Sequence, residues 1–384
     1  MRRMGAVVGA VWVLIALGWS PAPAHAGEPI RIGAIFSITG PASFLGEPER
    51  NTAKMLEEEI NKAGGLLGRK VEVIVYDDES DTTKAVTAVD RLLKRDRVVA
   101  VIGPSTSGST LAVVSKIEEA QVPLLSCAAA KKIAEPVKKW VFKTPQSDNL
   151  AAQRIFAHAR KSGLARVAIL TASDAFGAAG REELKALASP AGVTIVADEV
   201  FGPKDTDTTA QLTRIKGMDA QAIVVWGTNP GPAVVARNRA QLKMTVPLYM
   251  SHGVASKKFI ELAGPENAEG ILLPAGRLIV EEQVPASSPQ KRVLAGYVKE
   301  YEGRFKQPVS TFGGHAYDAI MLVAQAITEA KAAESAPIRD ALEKVRGFWG
   351  TAGEFNFSAT DHAGLTEDAF VMVRVTNGDW QMLK

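Results

Sequence analysis

The sequence contains a single cysteine, Cys127, and only five histidines among its 384 residues. One cysteine cannot form an intramolecular disulfide, and the small and apolar neighbours in PLLSCAAA predict a buried thiol rather than a reactive one. The histidines show neither an H-E-x-x-H motif nor another paired spacing, so we expect no metal site and no other cofactor. The formal net charge is only +3, and no basic stretch indicates a nucleic-acid partner.

Long apolar runs are also scarce, and the one that stands out lies at the N-terminus. Arg2 and Arg3 precede an apolar stretch over residues 6–19, and the segment ends with Ala24-His25-Ala26. This pattern predicts a secretory signal peptide over residues 1–26, cleaved after Ala26, because the apolar stretch is shorter than the ~20 residues that span a bilayer. We therefore expect a soluble, exported protein in a bacterial periplasm.

Short apolar runs alternate with longer amphipathic stretches through most of the remaining chain. Near-continuous apolar strands separated by helices are typical of parallel sheets covered on both faces. The alternation forms two blocks, residues 30–127 and 166–250, so we predict an α/β protein of two Rossmann-like, doubly wound lobes with a cleft between them. FKTPQSDNL, residues 142–150, fits a crossing between the lobes. The predicted strands are residues 30–37, 71–76, 98–103, 122–127, 166–171, 192–200, 222–226, 247–250, 369–375 and 380–383.

The loop GPSTSGST, residues 103–110, follows a predicted strand and opens a predicted helix. It lacks the Gly-Lys-Ser/Thr ending of a nucleotide P-loop, the G-x-G-x-x-G of a dinucleotide site and the G-x-S-x-G of a nucleophile elbow. Hydroxyls and backbone N–H groups at a helix start suit a carboxylate or another small anion. Capping of the helix by Ser107 or Ser109 would explain the same residues without a ligand, so both interpretations stay open.

Three other strand exits carry side chains that could face a ligand. SCAAAKK, residues 126–132, would allow a ligand to approach the backbone, although small residues also suit tight packing. Phe176 and His252 follow strands of the second block and could be pocket residues or ordinary core and loop residues. YDDESD, residues 76–81, lacks the Gly and distal Glu of a calcium loop and is interpreted as a solvated turn.

Several segments together resemble the periplasmic leucine/isoleucine/valine-binding protein family, the solute receptors of amino-acid ABC importers. The resemblance covers essentially the whole mature chain and is carried by the order of individually moderate motifs. These are IRIGAIFSITGPASFLGEPERNTAKMLEEEINKAGGLLGRKVEVIVYDDESD, AVIGPSTSGST, VFKTP, SDAFG, DTDTTAQLTRIK, AEGILLPAG and FGGHAYDAIMLVAQAI.

The resemblance implies a type I periplasmic binding protein, with two Rossmann-like lobes, three crossovers and a ligand enclosed when the lobes close. It places residues 27–147 and 275–356 in lobe 1, and residues 148–274 and 357–384 in lobe 2. It further implies a non-enzymatic protein, a monomer by family habit, that delivers its ligand to an inner-membrane ABC permease.

The resemblance also implies which residues bind the ligand. The positions matching Ser105, Thr106 and Ser107, and those matching Ala128, Ala129 and Ala130, hold the carboxylate and contact the amino group of the ligand in such relatives. The remaining candidates are Phe44, Leu45, Phe176, Thr228, Asn229 and His252.

Three of these positions depart from the family pattern. Ala130 replaces the usual threonine, His252 replaces the acid that pairs with the ligand ammonium, and Thr228 or Asn229 replaces a tyrosine. A buried ammonium without a carboxylate costs several kcal/mol of solvation. Either another acid pairs with the ammonium, or the ligand is an amino-free organic acid whose apolar body, aliphatic or aromatic, packs on the predicted apolar residues.

Two other functions remain alternatives at this point. A sensor that presents its closed form to a signalling receptor would use the same fold and the same closure. An exported enzyme would need a nucleophile–base pair or paired carboxylates in the cleft, and neither spacing is present.

Overall fold

The computed structural model describes residues 27–383, so the predicted signal peptide lies outside the described residues. The first lobe is built on a five-stranded parallel sheet with the strand order β2-β1-β3-β4-β5. Its strands are β1 (Ile30–Phe36), β2 (Val71–Asp77), β3 (Ala100–Ile102), β4 (Leu124–Ser126) and β5 (Val141–Lys143). The helices between them are α1 (Ser43–Lys62), α2 (Thr82–Arg91) and α3 (Ser107–Ala120), and a π-helical turn (Leu92–Asp96) extends α2.

The second lobe is built on a seven-stranded sheet with the order β14-β13-β10-β9-β8-β6-β7. Its parallel strands are β6 (Arg166–Ala172), β7 (Thr194–Phe201), β8 (Ala222–Trp226), β9 (Leu248–Met250) and β10 (Leu272–Ala275). The helices of this part are α4 (Asp148–Lys161), α5 (Ala175–Ala188), α6 (Thr209–Lys216), α7 (Gly231–Gln241), α8 (Lys257–Ala263) and α9 (Pro265–Ala268).

The last hundred residues return to the first lobe and then complete the second sheet. They form α10 (Lys291–Phe305), α11 (Thr311–Ala330), α12 (Ser335–Leu342), the hairpin β11 (Phe348–Trp349) and β12 (Glu354–Phe355), and the antiparallel strands β13 (Val371–Thr376) and β14 (Asp379–Met382). Short 3-10 turns lie at Lys131–Ile133, His252–Val254, Arg277–Gln283 and Glu367–Ala369.

Each sheet is covered on both faces by helices, as the near-continuous apolar strands predict. Strand β1 is buried at every residue except Arg31, and α1 and α11 pack beside each other on one face of the first sheet. The predicted α/β class, two doubly wound lobes and three crossovers are confirmed.

The chain crosses between the lobes after β5, after β10 and before β13. Phe357, Leu365 and Ala369 pack in the core of the first lobe, so the third crossing lies between Ala369 and Val371. The family resemblance placed this boundary at residue 357. Strands β5 and β10 were not predicted.

Gly103 is the residue that turns the chain from β3 toward the cleft. Its φ is +86°, and a Cβ at this position would lie 2.2 Å from the carbonyl oxygen of Ile35. Only glycine tolerates both this conformation and this approach. Within residues 27–383, no helix combines the length and the apolar character needed to cross a membrane.

Candidate functional site

A cavity of about 370 Å³ lies between the two lobes. It is bordered by the loops that follow β3, β4, β6, β8 and β9, and by the first turns of α11. The carboxyl ends of parallel strands are where open α/β sheets bind ligands. The lining residues are Pro41, Ala42, Leu45, Ser80, Thr82, Ser105, Thr106, Ser107, Gly108, Cys127, Ala128, Ala129, Pro145, Asp174, Ala175, Phe176, Pro203, Lys204, Thr228, Asn229, His252, Gly253, Phe312 and His315.

Every predicted site residue except Phe44 and Ala130 lines this cavity. Phe44 packs edge-on against Phe312, at 5.5 Å between ring centroids, and it is Phe312 that reaches the cavity. Ala130 is fully buried in the first lobe, where its N–H donates to the Ser107 hydroxyl at 3.3 Å. Phe44 and Ala130 therefore contact residues of the lining, Phe312 and Ser107, without lining the cavity themselves.

The start of α3 presents backbone N–H groups to the cavity. Thr106 caps the helix, because its Oγ1 accepts the N–H of Ser109 at 3.2 Å. The expectation that Ser107 or Ser109 would be the cap is therefore wrong; the cap is the residue with extended backbone directly before the first helical turn. In the part of the chain that the structure describes, the N–H groups of Ser107 and Gly108 have no hydrogen-bond partner. They can bind an anion at the positive end of the helix dipole.

Ser105 faces the cavity but is also bonded to the interior of the first lobe. Its hydroxyl oxygen accepts the N–H of Ser37 at 2.9 Å and makes a very short contact with the carboxyl group of Glu49. Glu49 is fully buried, and burial raises the pKa of its carboxyl group well above its usual value. No local motif singles out Glu49, which lies 56 positions before Ser105.

His252 lies at the second-lobe side of the cavity in a ring of aromatic side chains. The rings of Phe176, Trp226 and Phe370 lie 5.5, 5.7 and 5.4 Å from its imidazole, centroid to centroid. Burial lowers the pKa of His252 to about 3, so the ring is neutral at physiological pH. Both ring nitrogens are buried without a hydrogen-bond partner, and Nε2 lies 3.8 Å from the Asp148 carboxylate.

A buried lysine and a buried aspartate lie behind this side of the cavity. The Lys143 ammonium donates to the carbonyl of Ala129 at 2.7 Å and to the Ser147 hydroxyl at 2.8 Å. Burial lowers the pKa of Lys143 to about 8 and raises the pKa of Asp148 to about 7, while their opposite charges moderate both shifts. His315, held neutral by burial and by Lys143 with a pKa of about 3, completes the group. FKTPQSD was interpreted only as a crossing, so the sequence did not reveal this pair.

The remaining wall of the cavity is mostly apolar. Its few polar groups differ in whether they already have a hydrogen-bond partner in the protein. Leu45, Phe176 and Phe312 supply buried apolar surface. Asn229 is buried with neither side-chain atom hydrogen-bonded. Asp174 is the carboxylate among the lining residues, and its Oδ1 accepts the N–H of Gly177 at the start of α5.

The acidic turn YDDESD is used for local structure. Asp77 accepts the N–H groups of Ile38, Thr39 and Glu79, and Asp81 caps α2. Among residues 27–383, no group of three or more His, Cys, Asp or Glu side chains is arranged to hold a metal ion. Cys127 is buried, as predicted, and burial raises the pKa of its thiol.

Two doubly wound lobes with a cavity between them, at the carboxyl ends of their strands, define a solute-binding protein with the type I periplasmic binding fold. The model of the periplasmic binding protein family matches residues 29–379, and the chain belongs to this family.

Proteins with known names support the same assignment. The leucine-, isoleucine-, valine-, threonine- and alanine-binding protein of Pseudomonas aeruginosa is 26% identical over 321 residues, which cover 83% of each chain. An extracellular ligand-binding receptor from Rhodopseudomonas palustris HaA2 superimposes with a TM-score of 0.87 at 28% identity, over 92% of this chain and 99% of that one. The branched-chain amino acid transporter substrate-binding protein LivJ from Streptococcus pneumoniae, in complex with isoleucine, gives a TM-score of 0.81 at 28% identity, over 93% and 99%.

Proposed function

We propose that this protein is the periplasmic solute-binding component of an ABC importer of the branched-chain-amino-acid type. We further propose that its ligand is a small, amino-free carboxylic acid with an apolar body. The first statement is supported by the named relatives, and the second by the chemistry of the cavity.

The first lobe supplies hydrogen-bond donors to a carboxylate. The N–H groups of Ser107 and Gly108 are unpaired within the described residues and lie at the start of a 14-residue helix. The hydroxyls of Ser105 and Thr106 border the same corner of the cavity. Donors of this kind form charge-assisted hydrogen bonds, which are about twice as strong as neutral ones.

The second lobe offers a neutral hydrogen-bonding group where a receptor for α-amino acids needs an anion. His252 and Asn229 are buried, uncharged and unpartnered. They can pair with an oxo or hydroxyl group of a ligand, whereas a buried ammonium beside them would lose several kcal/mol of hydration. The unpartnered neutral His252 is the observation that carries this proposal.

Matched ligand pairs give a direct test. The purified mature chain is unfolded and refolded to remove any carried ligand, and its thermal midpoint is then measured with leucine against 4-methyl-2-oxopentanoate, and with phenylalanine against phenylpyruvate. A ligand that binds only the native state raises the midpoint by mass action. We expect a rise with the oxo acids and none with the amino acids.

Asp174 provides the control for the opposite result. It is the lining carboxylate that an ammonium could reach. A rise with leucine that disappears in the Asp174→Asn variant would show that Asp174 replaces the missing acid, and the amino-free proposal would be wrong.

Transport is tested separately in the cell. Deleting the gene should abolish uptake of the acid that raises the midpoint, because lobe closure sequesters a ligand for delivery. Normal uptake combined with loss of a response to that acid would favour the sensor instead.

A further inference from the structure

We propose that Glu49 holds a proton at neutral pH and, through Ser105, makes the carboxylate-binding corner of the cavity an obligate hydrogen-bond donor. Glu49 is then a positioning residue, and ionising it switches the corner from donor to acceptor. This inference rests on the proposed carboxylate ligand, but its first test does not require any ligand.

The argument begins with the hydrogen bonds available to one hydroxyl group. A serine hydroxyl donates one hydrogen and accepts with two lone pairs. Ser105 Oγ already accepts the N–H of Ser37 at 2.9 Å. If Glu49 donates its carboxylic O–H to the second lone pair, both acceptor positions are filled. The hydrogen of Ser105 is then directed to the cavity, which Ser105 lines.

The surroundings of Glu49 favour its neutral form. The carboxyl group is fully buried, and its Oε1 has no hydrogen-bond partner. In the described part of the chain, no lysine, arginine or histidine forms an ion pair with it. An ionised carboxylate with one donor and no cation loses most of its solvation, so it keeps its proton instead.

The titratable groups that face Glu49 from neighbouring elements do not supply a positive charge. Asp78, in the loop after β2, repels an ionised Glu49. The Cys127 thiol, after β4, is kept neutral by its own burial. On the packed helix α11, burial keeps His315 neutral and raises the pKa of Asp318 to about 7.

Asp78 is the better place for the one negative charge that this pair of acids can hold. Its Oδ1 accepts the hydroxyl of Ser37 at 2.7 Å and the N–H of Ser80 at 2.9 Å. Among the residues that the structure describes, Glu49 has a single hydrogen-bonding partner, the Ser105 hydroxyl. Two carboxyl groups that share a buried site titrate as a pair, and the proton stays on the group with fewer donors.

The two protonation states select different ligands at this corner. With Glu49 protonated, Ser105 donates, which suits a carboxylate oxygen and disfavours an ammonium or another donor. With Glu49 ionised, the hydrogen of Ser105 turns inward to the carboxylate, and the corner offers only a lone pair beside a buried negative charge. Affinity for a carboxylate ligand should therefore fall as the pH rises through the pKa of Glu49.

Infrared spectroscopy of the ligand-free protein tests the proton directly. The difference spectrum of wild type minus the Glu49→Gln variant at neutral pH should show the carbonyl stretch of a protonated carboxylic acid, shifted in D₂O. Glu47→Gln is the matched control, because Glu47 is a half-exposed carboxylate of the same helix and, within residues 27–383, forms its ion pair with Arg50. A carboxylate band instead of the acid band in the Glu49 difference spectrum would overturn the proposal, whatever the ligand is.

A pH titration of binding tests the coupling. The probe is 4-methyl-2-oxopentanoate or, if only the amino acid binds, leucine, since both carry the carboxylate. As the pH is raised from neutral, the dissociation constant of wild type and of Glu47→Gln should rise by up to tenfold per pH unit once Glu49 ionises. Glu49→Gln keeps an N–H donor toward Ser105 and should lack the rise of the dissociation constant that ionisation of Glu49 causes. Ser105→Ala should bind the probe weakly and should lack the same rise. Lys143, whose pKa burial lowers to about 8, can itself weaken carboxylate binding at alkaline pH in every variant, so the prediction concerns the difference between variants. A loss of affinity with rising pH that is equally steep in wild type and in Glu49→Gln would refute the role of Glu49.

Discussion

Replacing His252 with glutamate tests whether this position decides between amino acids and amino-free acids. The variant His252→Glu restores the residue type that the family resemblance places here, but it puts the new carboxyl group beside Asp148. In the wild type, Nε2 of His252 lies 3.8 Å from Oδ1 of Asp148. Two unit charges at that distance repel by about 4 kcal/mol at an effective dielectric constant of about 20.

That repulsion corresponds to about three pKa units, which would raise a glutamate pKa of about 4.3 to about 7 whenever Asp148 is ionised. Burial raises it further, as it does for Asp148 itself. The single variant should therefore be largely protonated at neutral pH and gain little affinity for leucine. The double variant His252→Glu/Asp148→Asn lacks the repulsion and should bind leucine at least tenfold more tightly than the single variant.

Isothermal titration calorimetry with leucine and with 4-methyl-2-oxopentanoate measures both effects. His252→Gln is the neutral control and should not gain leucine binding. Equal leucine affinity of the single and double variants would show that Asp148 does not act on this position. Undiminished oxo-acid binding by the double variant would show that His252 does not determine ligand class.

Two further predictions concern stability. Because the pKa values of His252 and His315 are lowered from 6.5 to about 3, only the unfolded state takes up these protons, and stability should fall as the pH drops below about 6.5. Each ring should contribute up to a tenfold loss in the folding constant per pH unit. Denaturant titrations at several pH values measure this loss, and His252→Gln should remove the contribution of one ring. An unchanged slope of the unfolding free energy against pH in His252→Gln would contradict the assignment. Gly180→Ala should destabilise by about 1–3 kcal/mol, because its Cβ would lie 2.1 Å from Nε1 of the buried Trp226. Gly296→Ala is the control within helix α10, because a Cβ at Gly296 would have no neighbouring atom within 4 Å. It should stabilise the protein by up to about 1 kcal/mol in thermal melts. Equal changes in stability for the two variants would refute the packing argument.

Much of the fold followed from local patterns in the chain. Continuous apolar runs such as IRIGAIF and AIVVW are typical of parallel strands with helices on both faces, and these two strands were predicted to within one residue. The strand exits were equally readable, because loops after parallel strands meet at one edge of a sheet. Ser105, Phe176 and His252, which line the cavity, were singled out as candidates in this way.

Other features of the site were not visible in the sequence because they depend on contacts between distant segments. In our proposal, Glu49 decides whether the Ser105 hydroxyl donates or accepts a hydrogen bond in the cavity. Glu49 is 56 positions away and lies in no recognisable motif. His315, on a helix that returns from the other end of the chain, reaches the same cavity. Phe44 was expected to contact the ligand, but Phe312 of α11 packs against Phe44 and lines the cavity in its place.

The sequence by itself determined the fold class, the two lobes and the loops that border the cleft, because hydrophobic periodicity and turn residues act over a few positions. The tertiary structure alone decided the charges in the cleft. Whether Glu49, Lys143, Asp148 and His252 carry a charge depends on how completely each is removed from water and on which groups face it. Burial and pairing are set by the packing of segments far apart in the chain, and no short stretch of residues encodes them.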